Sequence, residues 1–321
     1  MIGRLLFAAV SILVCAVSVP TARAEWPERP LHWIVPFGPG GANDLIARVA
    51  AEAVRKGLGQ PIIIENRPGA VVGTAAVAKA APDGYTFLIG AAGVITNSML
   101  LKNLSYVDSD LEPVGMIAVA PSIIVVNPSV PASNMKEFVA WARSQGDSGV
   151  TWATAGSGST PHFVAEMVKE ASGLSMTIVP FRSGSDGVNA VLANTASATS
   201  EASIVVLPQI QAELLKPIAT THTKRISAYP SLPTTAEQGY PTVEIGHWAG
   251  LLAPRGTPQP IIEKMNAELQ AALKTPDVAE KLSRSGIEPA GGSVADFAAF
   301  IASERKRLGD IALKAKMGEQ N

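Results

Sequence analysis

The segment Pro36-Phe37-Gly38-Pro39-Gly40-Gly41-Ala42-Asn43-Asp44 joins an apolar, β-rich run, Leu31 to Val35, to a helical run that extends from Leu45 toward Val54. The first N–H groups of a helix have no acceptor within the helix, and glycines allow a ligand to approach the backbone closely. This strand-to-helix turn is therefore typical of an α/β fold and predicts a binding site for an anion.

The residues that are missing from this turn narrow the choice of anion. A phosphate-binding P-loop would place Gly-Lys-Ser or Gly-Lys-Thr here, and a dinucleotide fingerprint would place a third glycine where Asp44 stands. We therefore predict a small carboxylate as the ligand. The alternative at this point is an ordinary strand-to-helix turn that binds nothing.

A second turn of the same kind follows another short β-rich run, Val150 to Thr154. The turn reads Ala155-Gly156-Ser157-Gly158-Ser159-Thr160-Pro161-His162 and leads into a helical run from Phe163 to Glu170. Its hydroxyl groups add donors to those of the backbone, and Pro161 suits the first turn of a helix. Two helix starts could hold one anion between them. His162 could join them, although a single histidine at this position is more often involved in packing.

The first 24 residues read as an export signal. Arg4 precedes an apolar run from Leu5 to Val19, and Ala22-Arg23-Ala24 forms a cleavage site of the A-x-A type, so we expect cleavage after Ala24. Cys15, the one cysteine in the sequence, lies inside this segment, which excludes a disulfide framework in the mature protein. These features predict a soluble protein of the bacterial periplasm.

The composition narrows the class of protein. The formal net charge is −1, basic residues are scattered, and nothing predicts binding to nucleic acid or to an anionic membrane. Hydrophobic residues make up 47% of the chain and charged residues 17%, which favours a well-buried α/β protein. The length after removal of the leader is typical of two domains.

Short strands alternate with helices along the mature chain, as in Ile62 to Glu65, Ala75 to Ala80 and Thr86 to Gly90. Such alternation predicts βαβ units, and ligands of parallel sheets bind beyond the carboxyl ends of the strands. The chain is predicted to leave a first lobe, residues 25–125, after the run Ser122 to Val126. A second lobe, residues 126–223, would follow, and residues 224–321 would return to the first lobe and end in helices. The crossings near Val126-Asn127 and Thr223 would then act as hinges.

The two turns and four other motifs, in order along the mature chain, resemble those of the solute-binding proteins of tripartite tricarboxylate transporters, the Bug family. They are Pro36 to Gly41 followed by Asp44 and Arg48, Glu65 to Ala70, Pro82 to Thr86, Gly156 to His162, Pro230 to Pro241 and Trp248 to Pro258. The resemblance implies a periplasmic two-lobed protein of type II, a Venus flytrap, with a mixed, mainly parallel sheet in each lobe. It also implies that the two glycine-rich loops and bridging waters hold the carboxylate of the ligand.

The resemblance and the two turns together give a set of candidate ligand-binding residues. The set comprises Phe37, Gly40, Gly41, Ala42, Asn43, Asp44, Ala92, Gly156, Ser157, Gly158, Ser159, His162, Ser183, Asp186 and Glu201. The chain departs from the family pattern in the second lobe, where Pro180-Phe181-Arg182-Ser183-Gly184 replaces Pro-Tyr-Lys-Gly-Gly and Ser197 replaces an aspartate. We expect Asp186 on a loop and Glu201 near the end of a strand. Either acid, if it faced the cleft, would repel a second carboxylate and favour an ammonium or hydroxyl group, whereas a solvated acid on the surface would do neither.

Other side chains have structural interpretations. Trp33, Trp152 and Trp248 could line a pocket for an aromatic ligand, but tryptophans beside β-rich runs more often belong to the core. We expect Arg48 to pair with Asp44 one helical turn earlier. Asn66, Arg67 and Asp83 would stabilise turns. The run from Ile261 to Lys314 predicts amphipathic helices that are broken at Thr275-Pro276 and at Gly291-Gly292.

The alternative class is an enzyme, specifically a secreted hydrolase. Gly156-Ser157-Gly158 lacks the spacing of a nucleophile elbow, and metal-ligand patterns such as His-Glu-x-x-His are absent, so we predict neither an enzyme nor a cofactor or metal. The partners implied by the resemblance are a small carboxylated ligand and the membrane subunits of the transporter. A ligand-loaded sensor that acts on a sensor kinase is the other possibility, and we expect a monomer in either case.

Overall fold

A computed structural model describes residues 26–146 and 149–317, so the predicted export signal lies outside the described residues. Ten strands, β1 to β10, cover Leu31–Val35, Ile62–Asn66, Thr86–Gly90, Leu111–Val126, Thr151–Thr154, Thr177–Pro180, Ala198–Ala202, Lys216–Thr220, Gly246–Pro254 and Glu288–Pro289. Ten α-helices, α1 to α10, cover Ala42–Leu58, Ala70–Ala78, Ala92–Leu100, Met135–Ser144, Thr160–Ser172, Gly184–Leu192, Ser203–Gln211, Gln259–Leu273, Pro276–Arg284 and Val294–Lys314.

The strands form two mixed sheets that share the long strand β4. In the first sheet β2, β1 and β3 are parallel, and the antiparallel strand β9 joins β3 to the first part of β4. In the second sheet β6, β5 and β7 are parallel, and β7 and β8 both pair antiparallel with the end of β4. Each sheet with its helices forms one lobe, as predicted for a two-lobed binding protein.

The chain crosses between the lobes inside a strand. Up to Pro121, β4 pairs with β9 in the first sheet, and from Ser122 it pairs with β7 and β8 in the second. Residues 122–125, which the sequence placed in the first lobe, therefore already pair in the second sheet. The return begins at Thr221, whose N–H donates to the carbonyl of Ser122 at 2.9 Å, and ends where β9 starts at Gly246. The division of the chain at residues 126 and 223 stays a proposal.

Large aromatic side chains fill the core of each lobe. Trp33 and Phe87 are fully buried in the first lobe, and Trp152, Phe138 and Phe163 are fully buried in the second. Phe138 and Trp152 meet edge to face with ring centroids 6.2 Å apart, an arrangement that aromatic pairs prefer. Trp248 is only 2% exposed and contacts the ring of Phe300. All three tryptophans singled out in the sequence thus belong to the core, the interpretation that the sequence favoured. None of them lines either of the cavities that contain residues of the glycine-rich turns.

The helix ends follow their sequence signals with small shifts. The helix after the first turn begins at Ala42 and not at Leu45, because Gly41 already occupies the N-cap position. The second helix spans Ala70–Ala78, a few residues before the predicted run. Asn134 caps α4 by accepting the N–H of Glu137 at 2.9 Å. The C-terminal breaks lie at the predicted points, since α9 starts at Pro276 and Gly291-Gly292 separates β10 from α10. Among the described helices, none combines the length and the apolar content that a membrane span requires.

Candidate functional site

The starts of four helices surround a small closed cavity between the lobes. Helices α1, α3, α5 and α6 follow the parallel strands β1, β3, β5 and β6, and their first residues meet there because the carboxyl ends of these strands face one another. The cavity encloses about 30 Å³, which is room for one or two ordered waters. It is lined by Phe37, Gly41, Ala42, Asn43, Ala91, Ala92, Gly93, Ala155, Ser159, Thr160, Pro161, Gly184, Glu201 and His247.

The chemistry of this lining suits an anion. The first backbone N–H groups of α1, α3, α5 and α6 have no acceptor inside their own helices, and the positive ends of four helix dipoles point toward one space. Seven of the predicted candidate residues lie in the lining: Phe37, Gly41, Ala42, Asn43, Ala92, Ser159 and Glu201. Both glycine-rich turns therefore contribute to the same cavity.

Asp44 stabilises the first turn from behind. Its carboxylate accepts hydrogen bonds from the N–H of Gly40 at 2.9 Å and from the side chain of Asn66 at 2.9 Å, and it forms the predicted ion pair with Arg48, also at 2.9 Å. Burial alone would raise the pKa of Asp44, but the hydrogen bonds from Arg48, Gly40 and Asn66 outweigh burial and lower it. Asp44 and Gly40 therefore lie outside the lining and hold the turn in place.

The second turn is held by its own side chains. Ser159 donates its hydroxyl to the carbonyl of Gly156 at 2.6 Å, and the N–H of Gly158 donates to Nδ1 of His162 at 3.0 Å. Burial, with a smaller contribution from Lys169, lowers the pKa of His162 to about 4. His162 is therefore neutral at physiological pH, and with Gly158 it lies behind the cavity and shapes the turn.

We expect the replacement of His162 by leucine to destabilise the second turn. The N–H of Gly158 loses its acceptor, which costs about 1–3 kcal/mol of unfolding free energy at pH 7. Because folding depresses the pKa of His162, its contribution is complete above the unfolded value of 6.5 and is lost as the pH falls toward 4. Urea unfolding at several pH values should show the variant and the wild type converging in acid. A constant difference across this range would contradict the assignment.

The two lobes touch directly beside the cavity. The N–H of Gly38 in the first turn donates to the carbonyl of Arg182 at 3.2 Å, and the hydroxyl of Ser185 donates to the carbonyl of Pro39 at 2.9 Å. A Cβ on Gly38 would lie 2.9 Å from Cβ of Ser183, so a side chain at this position would separate the lobes. These contacts hold the two lobes together beside the cavity.

A larger and open cavity of about 1110 Å³ lies outside the closed one. Gly156, Ser157 and Asp186 line this outer cavity. Asp186 is exposed in the first turn of α6, and not on a loop as predicted, because Ser183 caps the helix by accepting the N–H of Asp186 at 3.1 Å. Ser183 thus acts as a helix cap and is absent from the lining of both cavities.

Two ionisable side chains face the closed cavity, and sequence reasoning identified one of them. Glu201, near the end of β7 as predicted, is 2% exposed, and His247 on β9 is 5% exposed. Oε1 of Glu201 lies 3.3 Å from Nε2 of His247. The sequence around His247 carries no spacing or turn signal, because the histidine stands in a buried strand directly before Trp248. Only the meeting of β7 with β9 brings it to the site.

Residues 26–146 and 149–317 contain no candidate metal site. Nowhere among them do three or more histidine, cysteine, aspartate or glutamate side chains come together so that they could hold an ion.

The chain is similar to known proteins over most of its length. Residues 46–317 match the model of a family described as "Tripartite tricarboxylate transporter family receptor". Protein BugT of Bordetella pertussis is 32% identical over 307 residues, which cover 94% of each chain.

Two solved structures with ligands are similar over nearly the whole chain. A structure of R. palustris Rpa4515 with adipate superimposes with a TM-score of 0.87 at 31% identity and covers 91% of this chain and 99% of its own. MatC of Rhodopseudomonas palustris with bound malate superimposes with a TM-score of 0.84 at 30% identity and covers 89% and 99%.

Proposed function

The chain belongs to the tripartite tricarboxylate transporter receptor family, and from this premise we propose that it is a periplasmic solute-binding protein which captures a small carboxylated organic solute. Solute-binding proteins of this family are not enzymes. The observation that carries the proposal is the convergence of four helix starts on one closed cavity between two lobes. Two similar structures, Rpa4515 with adipate and MatC with bound malate, contain carboxylates.

The carboxylate would bind where the N–H groups of the four helices converge. Preorganised N–H groups at helix N-termini bind carboxylates without any cationic side chain. In agreement with this, the lining contains neither lysine nor arginine. The cavity of about 30 Å³ would hold a carboxylate group with little else, so a ligand must open the lobes to enter.

The proposal also includes export of the protein to the periplasm and transfer of its ligand to a membrane transporter. Residues 1–24 would direct the chain to the periplasm and be removed after Ala24, and the membrane subunits of a tripartite tricarboxylate-type transporter would receive the ligand. Deletion of the gene, with uptake and gene induction measured in parallel, separates this transport role from that of a sensor.

The identity of the ligand can be tested directly. We expect mass spectrometry of small molecules released from the purified protein to detect a carboxylic acid, and calorimetric titration of the emptied protein with that acid to restore binding. Failure of mono-, di- and tricarboxylates to bind the emptied, folded protein would contradict the proposed function.

We expect the two lobes to close on the ligand. The crossings at Pro121-Ser122 and between Thr221 and Gly246 are the connections about which the lobes would rotate. Small-angle X-ray scattering should give a smaller radius of gyration for the saturated protein than for the emptied protein. Identical radii, under conditions in which calorimetry confirms binding, would contradict closure.

A further inference from the structure

Glu201 and His247 place two hydrogen-bonding groups beside the helix starts of the closed cavity, one from each sheet. Oε1 of Glu201 accepts the N–H of Ala202 at 2.9 Å, and Oε2 contacts the first residue of α6 so closely that a Cβ on Gly184 would overlap it. Nε2 of His247 is buried and has no hydrogen-bond partner within the described residues, because its geometry relative to Glu201 is not that of a hydrogen bond. A buried polar atom without a partner is costly unless a ligand or water supplies one.

The charge state of this pair restricts what it can bind. Burial raises the pKa of Glu201 to about 7 and lowers that of His247 to about 3. The pair therefore supplies no cation near neutral pH, and it cannot serve as a counter-ion for a second carboxylate. Glu201 can instead accept a hydrogen bond from a hydroxyl or ammonium group, and the neutral His247 can complete the contact.

The size of the cavity fixes where such a group must stand on the ligand. The helix starts, Glu201 and His247 all line the same 30 Å³. A substituent that reaches both side chains while the carboxylate contacts the helix starts must sit on the carbon next to that carboxylate. We propose that Glu201 and His247 bind a hydroxyl or ammonium group at this carbon and so select 2-hydroxy or 2-amino carboxylic acids. This inference rests on the proposed function.

The test uses acids that differ only in this substituent. Propionate, lactate and alanine form a monocarboxylate series, and succinate, malate and aspartate form the matching dicarboxylate series. Calorimetry with the emptied wild type at pH 8, above the pKa of Glu201, should give lactate or malate an affinity about ten- to a hundred-fold above that of its unsubstituted counterpart, the effect of one hydrogen bond to a charged group. In Glu201→Gln and His247→Leu this ratio should fall toward one.

A control variant and the full series of acids separate failure of this inference from failure of the proposed function. Glu213→Gln removes the same charge from an exposed site of the second lobe and should keep the wild-type ratios. If no acid of either series binds the folded wild type, the proposed function itself is wrong. If substituted and unsubstituted acids bind the wild type equally, or if both cavity variants keep the wild-type ratio, carboxylate capture stands and this inference is wrong. Unfolding curves of each variant exclude loss of folding as the cause.

Discussion

Replacement of Gly41 by valine should reduce the affinity for a small carboxylate by about a hundred-fold, or about 2.7 kcal/mol. A Cβ on Gly41 would lie 3.6 Å from the backbone nitrogen of Gly184 and 3.8 Å from the carbonyl of Gly38, which are ordinary contacts. The two further methyl groups of valine, however, must enter the 30 Å³ cavity or push α6 away. The first outcome fills the space that the anion would occupy, and the second displaces the N–H groups that would face it.

Gly41→Ala provides the graded control. Its methyl group fits, so we expect only a small loss of affinity. Gly41 has φ −78° and ψ 171°, an extended conformation that valine adopts readily, so the free energy of unfolding should change little in either variant. The measurements are calorimetric titration and urea unfolding. Wild-type affinity in Gly41→Val, or a loss of affinity that merely follows a loss of folding, would contradict the assignment of this turn to the ligand.

The second large effect concerns the pH dependence of stability, measured relative to the double variant Glu201→Gln/His247→Leu. Folding raises the pKa of Glu201 from 4.5 to about 7, so the stability due to this group is complete below pH 4.5 and is lost as the pH rises through 7. Folding lowers the pKa of His247 from 6.5 to about 3, so the stability due to this group is complete above pH 6.5 and is lost as the pH falls through 3.

These opposite slopes cancel when both groups are present. Between pH 4.5 and 6.5 we expect the wild type to run parallel to the double variant, because folding moves no net proton on or off the pair. His247→Leu, which keeps Glu201, should lose about 1.4 kcal/mol for each pH unit as the pH rises from 4.5 to 7. Glu201→Gln, which keeps His247, should lose a similar amount for each unit as the pH falls below 6.5.

Each single variant thus shows the titration of one group without the other. Glu201 and His247 face one another, and the other side chains that line the cavity do not ionise. The shifts have burial as their main cause, so each should persist when the partner is removed. Chemical unfolding of all four proteins between pH 4 and 8 gives the slopes. Parallel curves for the two single variants would show that the pair is solvated and not buried at the interface of the lobes.

The sequence alone determined the fold class and the family, and it predicted an anion site at the two glycine-rich turns. These signals are local: an apolar strand, a run of glycines and a helix start lie within about 20 residues of one another at Leu31 to Val54 and again at Val150 to Glu170. The physical rules that connect such a pattern to structure act over the same short range. The pairing of Arg48 with Asp44 was predictable for the same reason, since one helical turn separates them.

Only the tertiary structure decided which of these residues face the cavity. Asp44 and His162 lie in the predicted turns but point behind them, because Gly40, Asn66 and Gly158 supply partners there. Asp186 became part of a helix whose N-cap, Ser183, is set by a single hydrogen bond. Burial and direction depend on contacts with distant segments, which periodicity does not encode.

His247 is a site residue that the sequence alone could not predict. It stands 46 positions after Glu201 along the chain, in a different sheet, and the two meet because β4 runs through both sheets and pairs with His247 at Ala120 and with Glu201 at Ile123, where one sheet gives way to the other. Local sequence determines that each residue lies on a buried strand. Long-range strand pairing and closure of the lobes place the two at one cavity and remove them from water, and their shifted pKa values follow from that burial.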